Sequence, residues 1–182
     1  HVLLVLDQAY AEYLEPEDDD LGLQLVEAHE NVFVTRTFSK IHGLGGLRIG
    51  FGYAPVAVAE AIDRIRLPFN VSVPGLDAAT AAIGDEAHQK ASRDLVQTWR
   101  PRLTQAIRGF GFEVLPSAGN FVLVLFKDEK RNAAAASEYL NSKGIIVRPV
   151  GGYGLPQALR ITIGTEDQNR AVIDALSEFA AT

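Results

Sequence analysis

The sequence contains no cysteine and no methionine, one tryptophan and four histidines. Lacking cysteine, it cannot form disulfides, thiolate metal sites or a thiol nucleophile. His42 and His88 have no metal-ligand spacing between them, so no metal centre is expected. The lack of cysteine also makes the cytoplasm the expected compartment, and no apolar run approaches the roughly 20 residues of a membrane-spanning helix, so no membrane partner is expected. The formal net charge of −6 argues against a nucleic-acid or anionic-membrane surface, although an acidic protein can still hold a local basic pocket. The lack of methionine, together with an opening at His1 inside a mid-sheet strand pattern, predicts an internal start, a cleaved product or a truncated form of something longer.

What is present reads as an ordinary α/β composition. At 182 residues and 47% hydrophobic, the chain can bury one good core or two modest ones. Residues 2–6 read as a buried strand, 24–28 as the close of a helix following the acidic loop 15–20, and 32–35 as the next strand. Residues 47–53 read as a strand broken by Gly50 and Gly52, and 56–66 as a helix opened by Pro55. Residues 67–70 and 72–75 break the pattern before an alanine-rich helix at 76–83. A longer helix is predicted over about 86–108, with Ala91, Leu95, Trp99, Leu103 and Ile107 on one stripe and Pro101 kinking or splitting it. Strands at 112–115 and 121–126, a helix at 133–142 stopped by Gly144, and strands at 145–150 and 159–163 follow. Thr165 to Gln168 has capping-box spacing and opens a terminal helix. This order predicts a boundary near Gly84: residues 1–84 as part of a mostly parallel-sheet domain, and 85–182 as a smaller α+β domain.

Two runs carry the chemistry. Val2-Leu3-Leu4-Val5-Leu6 ends on Asp7 with Tyr10 three residues later, where a parallel strand meets its loop. Thr37-Phe38-Ser39-Lys40 sets a lysine in a hydroxyl-flanked turn, followed by Gly43, Gly45 and Gly46, with Arg48 eight residues on. A lysine between Ser39 and an apolar, glycine-rich run is poorly placed for mere solvation, and can instead carry a cofactor. Thr37, Ser39 and Arg48 can hold a phosphate through charge-assisted hydrogen bonds. Tyr10 can donate its hydroxyl to a phenolic oxygen. Asp7 alone would more commonly cap a helix or end a strand; its company favours a carboxylate that keeps a ring nitrogen protonated. The glycine run is no dinucleotide fingerprint, since Arg48 stands where the third glycine belongs, and the run from Gly152 fails similarly at Gln157. Arg148 and Arg160 lie in hydrophobic strands and need anionic partners. Two convergent guanidiniums suit a dianionic phosphate, while for Arg148 alone a structural ion pair is an equal reading. Asn120 is expected to fix loop backbone through its amide or to contact substrate.

Asp7, Tyr10, Lys40 and Arg48 together resemble the pyridoxal 5′-phosphate site of fold-type I aminotransferases. From Asp7 to Arg160 the chain is similar to the C-terminal half of the histidinol-phosphate aminotransferase family. The resemblance implies part of a mostly parallel-sheet large domain followed by a smaller α+β domain. It implies Lys40 as the catalytic lysine, with Asp7, Tyr10, Thr37, Ser39, Lys40 and Arg48 binding the cofactor. Arg148 and Arg160 would then bind the phosphate of a phosphorylated amine or amino acid, with Asn120 as a further candidate substrate contact on its residue type. The family reaction exchanges an amino group between L-histidinol phosphate and 2-oxoglutarate, giving imidazole acetol phosphate and glutamate, in a homodimer. His42 departs from the small residue expected there. The family's N-terminal half carries further cofactor contacts not found before Asp7, so this chain alone is expected to bind cofactor weakly and to be catalytically poor. Threonine-phosphate decarboxylase, aromatic amino-acid aminotransferase and a non-catalytic scaffold are the alternatives.

Overall fold

A computed structural model describes residues 2–14 and 21–182; the acidic loop expected at 15–20 lies outside the described residues. The chain forms two compact units, His1–Arg93 and Asp94–Thr182, which divide within one long helix.

In the first unit, β1 (Leu4–Asp7) pairs in parallel with β2 (Val32–Thr37), and β2 pairs antiparallel with β3 (Gly50–Tyr53). The crossover between β1 and β2 passes through a 3-10 turn (Ala11–Tyr13) and α1 (Gly22–Ala28). Val26 of α1 packs with Val32 and Val34 of β2, and Leu6 and Leu25 close the cluster. The strand expected at 47–53 begins only at Gly50, because residues 45–47 turn as a 3-10 helix and Arg48 adopts a left-handed backbone conformation with φ 55°.

Next come α2 (Val56–Ile65) and α3 (Val73–Ile83). The latter starts earlier than its residues 72–75 suggested. Ser72 caps it by accepting the Gly75 N–H at 3.2 Å, and a proline in the first turn removes only an N–H that would have no helical partner.

The long helix α4 (Glu86–Gly109) is continuous through Pro101, so the split, one of the two expectations, does not occur. Its stripe Val96, Trp99, Leu103 and Ile107 is buried, and that burial outweighs one lost backbone bond. The second unit contains a four-stranded antiparallel sheet in the order β4 (Glu113–Leu115), β5 (Phe121–Leu125), β7 (Ala158–Thr162), β6 (Arg148–Pro149). β6 is two residues long instead of the six expected, because residues 145–147 pair with no strand among the described residues. α5 (Ala133–Ser142) packs against β6, β7 and α6 (Glu166–Ala180). Rings of Phe112, Phe126 and Phe179 meet at centroid distances of 4.8 to 6.4 Å. The capping box at Thr165 and Gln168 forms as its spacing predicts. The buried Asn169 exchanges hydrogen bonds with both main-chain groups of Gly164, at 2.8 and 2.9 Å.

Candidate active site

β1 and β2 are parallel with Asp7 opposite Thr35, and the Gln8 N–H donates to the Thr35 carbonyl at 2.9 Å, so both strands leave the sheet at the same edge. In parallel sheets this carboxyl edge is where ligand-binding groups gather. Tyr10 begins the 3-10 turn after β1. The Asp7 carboxylate accepts the Ala9 N–H at 3.2 Å and is exposed, not buried as its proposed role requires. The physical reason is local: β1 has no strand on its outer side among the described residues.

Beyond β2, Phe38 and Ile41 turn inward and are buried, with Phe38 packed against Ile49, Ala79 and Leu44. The Phe38 N–H donates to the Ile49 carbonyl at 3.2 Å, Leu44 N–H to Phe38 at 2.9 Å, and Gly43 N–H to Lys40 at 3.0 Å. Gly43 closes this turn at φ +71°, which glycine reaches without Cβ strain. The buried neighbours and closed backbone hold Lys40 half-exposed, its Nζ 5.1 Å from the centroid of the Tyr10 ring. This lies within the range of cation–π attraction. Lys40 has no acidic partner among the described residues.

Thr37 Oγ1 accepts the Ser39 N–H at 3.0 Å. Arg48 Nη1 donates to the Gly45 carbonyl at 2.7 Å and reaches Ser39 Oγ at 3.5 Å. Thus Thr37, Ser39 and Arg48 come together as two hydroxyls and a cation with no carboxylate among them. This donor set suits an anion. His42 sits half-buried against Phe38, with ring centroids 5.0 Å apart and its Nδ1 buried without a partner.

Glu12, Arg36 and Arg93 carry no signal in the sequence, and His88 reads there only as an ordinary polar position. Arg36 of β2 pairs with Glu12 at 3.3 Å, Arg93 Nε donates to the Glu12 carbonyl at 2.7 Å, and His88 Nε2 lies 2.9 Å from the Ile41 carbonyl. Their partners are far away in sequence, and no local spacing signals them.

In the second unit Arg148 stands directly opposite Arg160 in the β6–β7 ladder. Arg160 is half-buried, with its guanidinium 5.3 Å from the Phe121 ring centroid and its Nε buried without a hydrogen-bond partner. Like charges directly opposite one another repel, and neither arginine has an acidic partner among the described residues. Asn120 precedes β5, and its main-chain carbonyl, not its amide as expected, accepts the Ile163 N–H at 2.9 Å. Its amide makes no hydrogen bond among the described residues.

Lys40 thus lies over a phenol ring with no acid paired to it among the described residues, and Thr37, Ser39 and Arg48 follow in the adjoining turn. Residues 1–176 match the model of the family described as aminotransferase class I and II, and the chain belongs to that family. Its relatives include histidinol-phosphate aminotransferase 1 of Caulobacter vibrioides, 54% identical over 98% of this chain and 50% of that protein. The histidinol-phosphate aminotransferase of Rhodopseudomonas palustris strain BisB18 is 50% identical over the whole chain and half of its own length. The crystal structure of histidinol-phosphate aminotransferase from Sinorhizobium meliloti, in complex with pyridoxal-5′-phosphate, matches with a TM-score of 0.88 at 34% identity. That match covers 98% of this chain and 49% of the solved one. The chain therefore spans about half the length of the relatives it matches. The α/β fold expected from the sequence is thus the fold of this family. Among the described residues no helix is long and apolar enough to cross a membrane, and no group of metal-ligating side chains gathers.

Proposed function

We propose that these residues serve a pyridoxal 5′-phosphate-dependent aminotransferase that acts on L-histidinol phosphate with 2-oxoglutarate, as a homodimer in the cytoplasm. The observation that carries the proposal is Lys40, an acid-free amine over the Tyr10 ring at the carboxyl edge of a parallel strand pair. The donor chemistry suits the group: Lys40 would take its aldehyde, Tyr10 its phenolic oxygen, and Thr37, Ser39 and Arg48 its phosphate, while Asp7 would serve its ring nitrogen only once the exposed outer side of β1 is covered. When bound, pyridoxal phosphate supplies an electron-withdrawing ring that drains the charge left by a departing Cα proton.

Lys40 Nζ would hold the group covalently, give way to the substrate amine, and then carry the Cα proton as general acid and base. The Tyr10 ring keeps that amine from wandering while substrate enters. Arg148 and Arg160 would bind the substrate phosphate, whose two negative charges relieve the repulsion between the guanidiniums. Asn120, with its amide unengaged, would hydrogen-bond the substrate.

The test is a half-reaction panel on the full-length protein. L-Histidinol phosphate should convert the bound chromophore to its amine form at a far lower concentration than phenylalanine. Conversion by threonine phosphate or phenylalanine with none by histidinol phosphate would replace this reading by a decarboxylase or an aromatic aminotransferase.

A further inference from the structure

Two side chains from the first two turns of α4 reach the loops that carry Tyr10 and Lys40. Arg93 Nε donates to the Glu12 carbonyl at 2.7 Å. The Glu12 carboxylate is held by Arg36 of β2 at 3.3 Å, with the two side chains only 15% and 17% exposed. The 3-10 turn that begins at Tyr10 is therefore tied to α4 through a carbonyl and to β2 through a carboxylate. Inside the turn, Tyr13 N–H donates to the Tyr10 carbonyl and Leu14 N–H to that of Ala11, both at 3.0 Å. On the same helix, His88 Nε2 donates to the carbonyl of Ile41, the residue after Lys40, at 2.9 Å. The His88 backbone is itself pinned, its N–H donating to Asp85 Oδ1 at 3.0 Å. Charge-assisted bonds in partly dry surroundings are stronger than ordinary ones. Both anchors stand on one α-helical rod, which fixes their separation.

Resting on the reading of Lys40 as the cofactor amine, we propose that Arg93 is a positioning residue of this site, with His88 as its counterpart. The first turns of α4 clamp the Tyr10 turn and the Lys40 turn to a common support. The clamp sets the 5.1 Å separation between amine and ring. Arg93 acts through Glu12 and needs no contact with substrate or cofactor.

The test uses Arg93→Met, which removes the donor, and Arg93→Lys, which keeps a cationic donor. It also uses His88→Leu and His88→Gln, the glutamine amide reaching near the Nε2 position. In the cofactor-free chain, Arg93→Met should speed hydrogen exchange at the Tyr13 and Leu14 amides about tenfold, and Arg93→Lys should restore it. His88→Leu should do the same at Gly43 and Leu44, with glutamine restoring protection, while the β5 amides stay unchanged as evidence of folding. In the full-length protein, the rate at which pyridoxal phosphate and borohydride label Lys40 should fall in Arg93→Met and recover in Arg93→Lys. Labelling of unsubstituted protein away from Lys40 would defeat the functional reading, while the exchange data would still judge the clamp. Unchanged exchange in both Arg93→Met and His88→Leu would overturn the clamp, whatever Lys40 does. Faster exchange with Lys40 labelling unaltered would overturn the positioning role.

Discussion

Arg148 lies directly opposite Arg160 across two antiparallel strands, and no described acid pairs with either. Cross-strand partners of this kind bring their Cβ atoms within about 5 Å, so the two like charges repel each other and an anion bound between them would relieve that repulsion. Arg160→Ala in the full-length protein should raise KM for a phosphorylated substrate at least about tenfold. It should leave KM for 2-oxoglutarate much less affected. Steady-state kinetics with both substrates checks this, and an equal rise for each would remove the phosphate role.

Relief of the same repulsion gives a stability test on the chain itself. Arg148→Leu should leave the thermal midpoint unchanged or raised at low salt, because Arg148 is exposed and its only ladder neighbour of note is another cation. A clear fall in the midpoint, read by circular dichroism, would mean that Arg148 has a stabilising partner.

Gly50 pairs with Thr37 at the end of β2, and a Cβ placed there would meet the Arg36 carbonyl at 2.6 Å. The obstacle is backbone and cannot swing away. Gly50→Ala should therefore cost about 1–3 kcal/mol and loosen the turn that carries Ser39 and Lys40. Chemical denaturation measures the first effect, and faster exchange at the Phe38 amide, which bonds Ile49, measures the second.

How much of this was legible in the sequence depends on range. The Lys40 turn and the capping box at Thr165 are local patterns that formed from residues a few positions apart, whereas the expected stripe of α4 is buried only at Trp99, Leu103 and Ile107, joined by Val96, with Leu95 half-buried and Ala91 exposed. Pro101 does not split the helix, because its effect is a local penalty that burial of Trp99, Leu103 and Ile107 offsets. Leu103, fully buried, should cost about 2–5 kcal/mol when cut to alanine. Glu12, Arg36, His88 and Arg93 could not be found, because a half-buried ion pair between Glu12 and Arg36 has no signature until the chain folds. The exposure of Asp7 also depends on what covers β1, and no spacing reports that.

Acid should weaken one contact between α5 and α6. Glu178 accepts from Lys143 at 2.7 Å and from the Tyr139 hydroxyl at 2.8 Å. The Lys143 hydrogen bond first, and that of Tyr139 second, hold the Glu178 carboxyl below the usual carboxylate range. The contribution is present above the ordinary glutamate range and is lost as pH falls through the lowered value. Lys143 is correspondingly raised by Glu178, so its share is lost only as pH climbs past the ordinary lysine range. Both groups are exposed, so the effect is small and shrinks with salt. Glu178→Gln should flatten the acid limb of the melting temperature against pH, and an unchanged limb would assign it to other carboxylates.

The most direct measurement is the intact and peptide mass of the full-length protein after incubation with pyridoxal phosphate and borohydride reduction. One pyridoxyl group on the peptide containing Lys40, absent from Lys40→Ala, is the predicted result. A label distributed over Lys90, Lys127, Lys130 and Lys143, with Lys40 unmodified, would contradict it.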